Sequence, residues 1–362
     1  MMHPRPAGGE WAAYRETAAE IRMDPLDDAL EILDGAGPEY AGGLSNHGPM
    51  AAEALFALDQ ADAVVPWTER YRRKLGDEPA PGRPVDSAAI RDALGQTRRY
   101  PDWLALFLRE FREGPWEPAV DRWVSELASG FAGAAAHGVI RAGHAARSLA
   151  RHDTPGRRKE IARAFAYWAA THQTLPRDES RPAHLAPEEA LARVPRLPDN
   201  VRRTGSIAQG LELAALMPDF PGVITLVDAD SPESFVPALG NAFARVFLAG
   251  TEPPGRTIAL IHGVTGPAAA GLLVPHVSAR TATRLLACAW QAGAAIYAVF
   301  GRPPGSLEVG VPSTTREALI AAAVESGDEH AIKFTEACLR LDAAAPSPVF
   351  QVAASRAVAL LS

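Results

Sequence analysis

A chain of 362 residues is long enough for one large or two ordinary domains with a substantial core. Its 47% hydrophobic and 22% charged content is that of a soluble globular protein. The formal net charge of -7, without any long basic run, argues against nucleic acid as a partner.

Cys288 and Cys338 both lie in apolar helical surroundings and read as small buried hydrophobes, not as a disulfide framework. Residues Met1 to Gly9 lack the apolar centre of a signal peptide and read as a flexible start, so a cytoplasmic location is expected. The most apolar stretch, from about Ile258 to Val277, is interrupted by His262, Pro267, Pro275 and His276. A membrane would penalise those groups, so the stretch predicts a buried core helix and no membrane span.

In chain order, residues 10 to 34 predict two helical pieces split at Asp24-Pro25 and stopped by Gly35-Ala36-Gly37-Pro38. A turn, Leu44-Ser45-Asn46-His47-Gly48-Pro49-Met50, then leads into an apolar helix from about 49 to 59. Pro49 suits the first helical position, which places His47 at a helix N-terminus. A further helix is expected to open at Val65-Pro66-Trp67 and to show solvent a face of Arg70, Arg72, Arg73 and Lys74. After a Pro/Gly-rich loop, Asp86 predicts an N-cap. Trp103, Leu104, Phe107, Leu108 and Phe111 recur at helical spacing.

Residues 116 to 150 predict continued helix across a centre of small residues, 129 to 138, which would let backbones or a ligand approach closely. The helix from Ile161 to Thr174 carries Tyr167 and Trp168. Residues 175 to 200, rich in Pro, Arg and Glu, predict a lid, a linker or a surface excursion. Helices follow over 205 to 216 and 235 to 248, with a short strand expected at Val223 to Val227 between them. The remainder predicts helices over 256 to 274, 278 to 300, 314 to 325 and 329 to 341, and a last one toward the C-terminus. Strands do not alternate with helices, and no repeat has a fixed period. The expected fold is all-α, a single large multi-helix domain over residues 1 to 362 with little or no β structure.

Among the ten histidines, His3, His152, His172 and His184 sit in polar surroundings and read as surface residues. His47, His137, His144, His262, His276 and His330 lie in or beside apolar helical stretches, where ring nitrogens need protein partners or a metal. His137 and His144 are two turns apart, about 10 Å along a helix, too far to share one ion comfortably. His262 and His276 are no better placed, whereas His330 and Lys333 share a face. A single ion would therefore take one residue from each of several helices: His47, His137, His262 and His330. Such imidazole-rich sites suit iron, copper, zinc or nickel. Without an HExxH or CxxC pattern, spacing alone leaves satisfied core histidines as the alternative.

Four segments resemble the questin oxidase-like family: Pro38-Glu39-Tyr40 with Ser45-Asn46-His47-Gly48, His137-Gly138-Val139-Ile140-Arg141, Phe165-Ala166-Tyr167-Trp168, and Ile261 to Ala268. Asp328-Glu329-His330-Ala331-Ile332-Lys333 is a fifth, and the order is kept from about Leu33 to Leu341. Fungal members act on anthraquinones in polyketide pathways and were described as NADPH-dependent Baeyer–Villiger oxidases. A related member is understood as a non-haem iron dioxygenase whose iron is held by four histidines and a carboxylated lysine.

The resemblance implies His47, His137, His262 and His330 as ligands of Fe(II), with Lys333 as the lysine whose carbamate adds an oxygen. It implies O2 and a small aromatic, anthraquinone-like substrate as partners, in a pocket lined by Trp168 and Tyr167. Asn46 could orient a ligand from behind. Arg141 and His144 depart from the fungal pattern, where a second histidine and an aromatic stand, and put the substrate in question. Arg141 could receive a phenolate or pair structurally. His276 reads as a core or pocket-wall residue. The alternatives are an NADPH-dependent Baeyer–Villiger monooxygenase, for which no GxGxxG follows a strand, and a non-catalytic helical binding protein. The sequence leaves the oligomeric state undefined.

Overall fold

Helices begin where the sequence supplies caps. Asp24, Thr154, Ser206, Ser278, Thr315, Asp328 and Ser347 each accept a hydrogen bond from a main-chain N–H in the turn they open. Proline stands within the first two positions of the helices Pro25–Ile32, Gly48–Ala57, Pro155–Ala170 and Pro348–Leu361, where its missing N–H costs nothing. The computed structural model describes residues 24 to 362 apart from 113, 181, 199–200, 202–204, 251–253 and 306. The helical piece expected within residues 10 to 23, the flexible start and His3 lie outside the described residues.

The fold is all-α. Among the described residues the one sheet is a two-stranded hairpin, Glu39–Tyr40 against Leu44–Ser45, with Glu39 opposite Ser45 and Tyr40 opposite Leu44. One hydrophobic core runs from Met50 to Val358, and a smaller cluster gathers residues between Leu26 and Leu75 with Ile332.

Four helices pack as a closed ring at the centre: Gly48–Ala57 on His137–Arg151, that helix on Pro254–Leu273, that one on Glu329–Ala344, and the last back on Gly48–Ala57. Gly143 is required in this ring, because a Cβ there would sit 2.4 Å from the Ala269 carbonyl oxygen. The helix Arg256–His276 is long and apolar enough to cross a membrane by length and composition, but 78% of its most apolar window is buried inside the protein. It is the core helix expected.

Four local expectations are corrected. The helix expected from Val65-Pro66-Trp67 already begins at Ala61 and runs through Pro66, whose exposed position lets water reach the carbonyl left unpaired. The stretch 116 to 150 is not continuous: Glu117–Leu127 ends in a 3-10 turn, and Ala134, Ala135 and Ala136 stand at φ +46°, +56° and +67° before the next helix starts at His137. Val223 to Val227 forms no strand; Phe220–Thr225 is a 3-10 turn, and Val227 makes a single bridge to Leu185. His172 is not a surface residue, since it is partly buried with its Nε2 3.2 Å from Ser129 Oγ.

Within 175 to 200, the described residues 175–180 and 182–198 form a strap tied down by main-chain bonds. Asp178, Ala183, Leu185 and Leu197 donate to the carbonyls of Pro221, Thr225, Leu226 and Ala298. A short helix, Pro187–Leu191, lies within it.

Candidate metal centre

The loop before His47 is immobilised by its own side chains. Asn46 donates its amide to Gly37 O (2.9 Å) and accepts from the Gly48 N–H (2.9 Å), so its side chain is committed to the backbone that carries His47. The His47 N–H donates to Tyr71 Oη at 2.8 Å. Tyr167 donates to Glu39 Oε1 (2.9 Å) and lies 2.8 Å from Ser45 Oγ, which fastens the hairpin to the helix Pro155–Ala170.

His137 is the first residue of its helix, reached through three successive left-handed alanines. That conformation costs an L-residue about 1–2 kcal/mol at each position, and such strain persists where the surroundings over-determine it. Its local result is that the Ala134 carbonyl meets His137 Nδ1. One helix over, His262 Nδ1 meets the Ile258 carbonyl at 2.7 Å. Both carbonyls can only accept, so both rings carry their hydrogen on Nδ1 and leave a lone pair on Nε2.

Those two Nε2 atoms face each other at 3.1 Å, and His47 Nε2 lies 2.8 Å from His137 Nε2. Burial, followed by neighbouring positive charge, holds all three rings below the ordinary imidazole range, His262 down to about 3. The rings are thus neutral, and the His137–His262 pair has no hydrogen between its nitrogens. Two buried lone pairs aimed at each other repel unless a cation lies between them. Ligands at right angles around an ion with ~2.1 Å metal–nitrogen bonds would be about 3.0 Å apart, close to both spacings observed.

His330 completes the set. Its ring centroid is 4.6 Å from that of His47 and 5.8 Å from that of His262, while His47–His137 and His137–His262 are each 4.6 Å. The four rings therefore close a circuit. His330 Nδ1 has no hydrogen-bond partner and lies 3.5 Å from Asp328 Oδ1, outside hydrogen-bonding geometry. Lys333 is buried with Nζ 3.1 Å from His47 Nδ1, and burial lowers its pKa to about 8. Asp328 caps this helix through the N–H groups of His330 and Ala331, and the three-residue spacing of His330 and Lys333 puts those two on one face.

Most of the other residues singled out in the sequence are engaged with other protein groups. Arg141 makes a buried two-pronged ion pair with Glu160, at 2.6 and 2.8 Å, which takes the second of its two expected roles. His144 Nδ1 is 2.6 Å from Glu53 Oε2. Tyr167 is engaged with Ser45 and Glu39 as above. Trp168 is fully buried where its helix crosses Gly138, next to His137; a Cβ on Gly138 would lie 2.5 Å from Trp168 Cα. His276 is partly exposed and packs its ring 4.9 Å from that of Trp116. Cys288 and Cys338 are buried and unpaired.

Sequence reasoning missed Glu329 and Tyr71. Glu329 is buried, and its carboxylate, His47 and His330 offer ligand atoms all within 4.8 Å of one another. Tyr40 Oη donates to it at 3.4 Å, and Lys74 Nζ is 3.6 Å away. Its signal was its place directly before His330; Tyr71 carried none, being one aromatic on an amphipathic helix. No protein-family model matches the chain, and no curated protein matches it. The resemblance thus rests on five short segments, four of which contribute the residues gathered here.

Proposed function

We propose that the chain is a mononuclear non-haem iron oxygenase acting with O2 on a small, electron-rich aromatic substrate of the anthraquinone-like polyketide class. His47, His137, His262 and His330 would hold the ion, and Lys333, as its carbamate, would add an anionic oxygen. The observation that carries the reading is the facing pair of lone pairs on His137 and His262, each fixed by a main-chain carbonyl. Iron and O2, rather than zinc or copper, are favoured by the resemblance to the questin oxidase-like family.

An iron ion in such a site supplies one-electron chemistry that lets O2 react with a closed-shell aromatic ring. The chain's own residues set the conditions. Carbamate formation from CO2 needs a neutral amine, and burial, which lowers the Lys333 pKa to about 8, brings that form within reach near neutral pH. The helices Gly48–Ala57, His137–Arg151 and Glu329–Ala344 all begin at the cluster, and their N-terminal dipoles favour an anionic oxygen there. Glu329, accepting from Tyr40, places a carboxylate beside the cluster.

The test is anaerobic loading with Fe(II), then O2 uptake with a panel of hydroxyanthraquinones, without and with NADPH. Uptake that needs iron and substrate but no NADPH, and is absent in His262→Ala, supports the reading. Uptake that needs NADPH and ignores the metal would replace it with the Baeyer–Villiger alternative.

A further inference from the structure

Behind the histidines lies a second polar cluster, its carboxylates and histidine buried and its arginines partly so. Arg147 donates from Nε to Glu53 Oε1 at 2.7 Å and from Nη2 to Glu53 Oε2, while its Nη1 reaches Glu336 Oε1. His144 Nδ1 donates to the same Glu53 carboxylate. Arg340 Nε donates to Glu336 Oε1 (2.9 Å), and its Nη1 donates to the Ala268 carbonyl (3.1 Å). Glu53 and Glu336 are buried, and the two arginines balance their charges.

The members come from the same four helices that carry the histidines. Glu53 is six residues beyond His47, His144 seven beyond His137, Ala268 six beyond His262 and Glu336 three beyond Lys333. At 1.5 Å per residue the cluster lies about one to two turns below the ring nitrogens. An ion cluster of this kind contributes little net stability, because desolvation offsets its attraction and apolar residues of similar volume often do as well or better. What apolar packing lacks is direction: a guanidinium fork donates to its carboxylates in one plane and at one spacing. The fork of Arg147 spans three of the helices, and Arg340 brings in the fourth.

We propose that Glu53, His144, Arg147, Glu336 and Arg340 form a positioning frame that sets the lateral spacing of the four ligand-bearing helices and hence the spacing of the histidine nitrogens. This rests on the metal reading above. None of the five would touch the ion; they act through the helices.

The test combines Glu53→Leu, Arg147→Met and Glu336→Leu in the full-length protein and titrates it anaerobically with Co(II) alone, reading affinity and the cobalt absorption spectrum. The combined variant is expected to keep its melting temperature within a few degrees and to lose about tenfold or more in affinity, the scale found when groups supporting ligands are removed, with a shifted spectrum. Arg147→Lys, which keeps charge and loses the fork, gives the same reading should the combined variant fail to fold. Arg163→Met is the control: Arg163 is buried against Glu78 and Asp34, neither of which stands on a ligand-bearing helix, so it should lose stability at unchanged cobalt affinity. Wild-type affinity and spectrum in folded Arg147→Lys or in the combined variant would overturn the frame. Failure of the wild type to bind cobalt would overturn the metal reading itself.

Discussion

His137 and His262 present bare Nε2 atoms to each other at 3.1 Å, because each ring has given its hydrogen to a carbonyl of its own chain segment. In the metal-free protein this pair is repulsive, and a bound cation turns it attractive. His262→Gln, whose amide can donate to His137 Nε2, is therefore expected to leave the metal-free protein at least as stable as wild type. The same change should abolish stabilisation by metal, which for wild type is about 2.7 kcal/mol at a hundredfold excess over Kd. Thermal unfolding with and without Fe(II) or a chelator, on both proteins, checks the two signs together.

Tyr71 receives the His47 N–H from a neighbouring helix. Tyr71→Phe leaves that buried N–H without its partner, at a cost of about 1–3 kcal/mol. Denaturant unfolding should register the loss, and metal affinity should fall with it because the His47 backbone is no longer held. An unchanged unfolding midpoint would show that water or another group takes the place of the hydroxyl.

Gly143 is where the His137 and His262 helices touch. The methyl of Gly143→Ala meets a main-chain carbonyl, which has no rotamer to escape into, so the helices must part. Overpacking of this kind costs about 1–3 kcal/mol, and here the separation is transmitted to the two facing nitrogens. The expected result is a folded protein of lower melting temperature whose metal affinity drops more than that of a core variant of equal stability.

Acid should weaken the protein through its buried carboxylates. Despite the opposing effect of burial, Arg340 and Arg147 hold Glu336 below the usual carboxylate range, and Arg147 and His144 do the same for Glu53. A depressed folded-state pKa contributes stability above the unfolded pKa, near 4.3 for a glutamate, and that contribution is lost as pH falls through the folded value. Melting temperature should therefore decline as pH drops below about 5. Glu336→Gln should start lower at neutral pH and decline less steeply.

The architecture was legible because long, strongly periodic segments with caps such as Ser278, Thr315 and Asp328 leave few alternatives to helix. The break at Ala134 to Ala136 was not, since alanine is the best helix former and nothing local announces a left-handed run. Tertiary packing imposes it, with Gly133 pressed so close to Thr171 that a Cβ would meet its carbonyl. The histidines could be sorted by their apolar surroundings, but only their shared resemblance put Lys333 with them. The frame was hidden for another reason. Glu53 and Glu336 are charges inside apolar runs, a visible anomaly, yet they lie 94 and 189 residues along the chain from their shared partner Arg147.

The most direct measurement is metal content after anaerobic Fe(II) loading and desalting, on wild type and on His137→Ala and His262→Ala. About one iron per chain in the wild type, and none in either variant, is the expected result. A wild type that retains no metal, or variants that retain as much as the wild type, would contradict the assignment of these rings as its ligands.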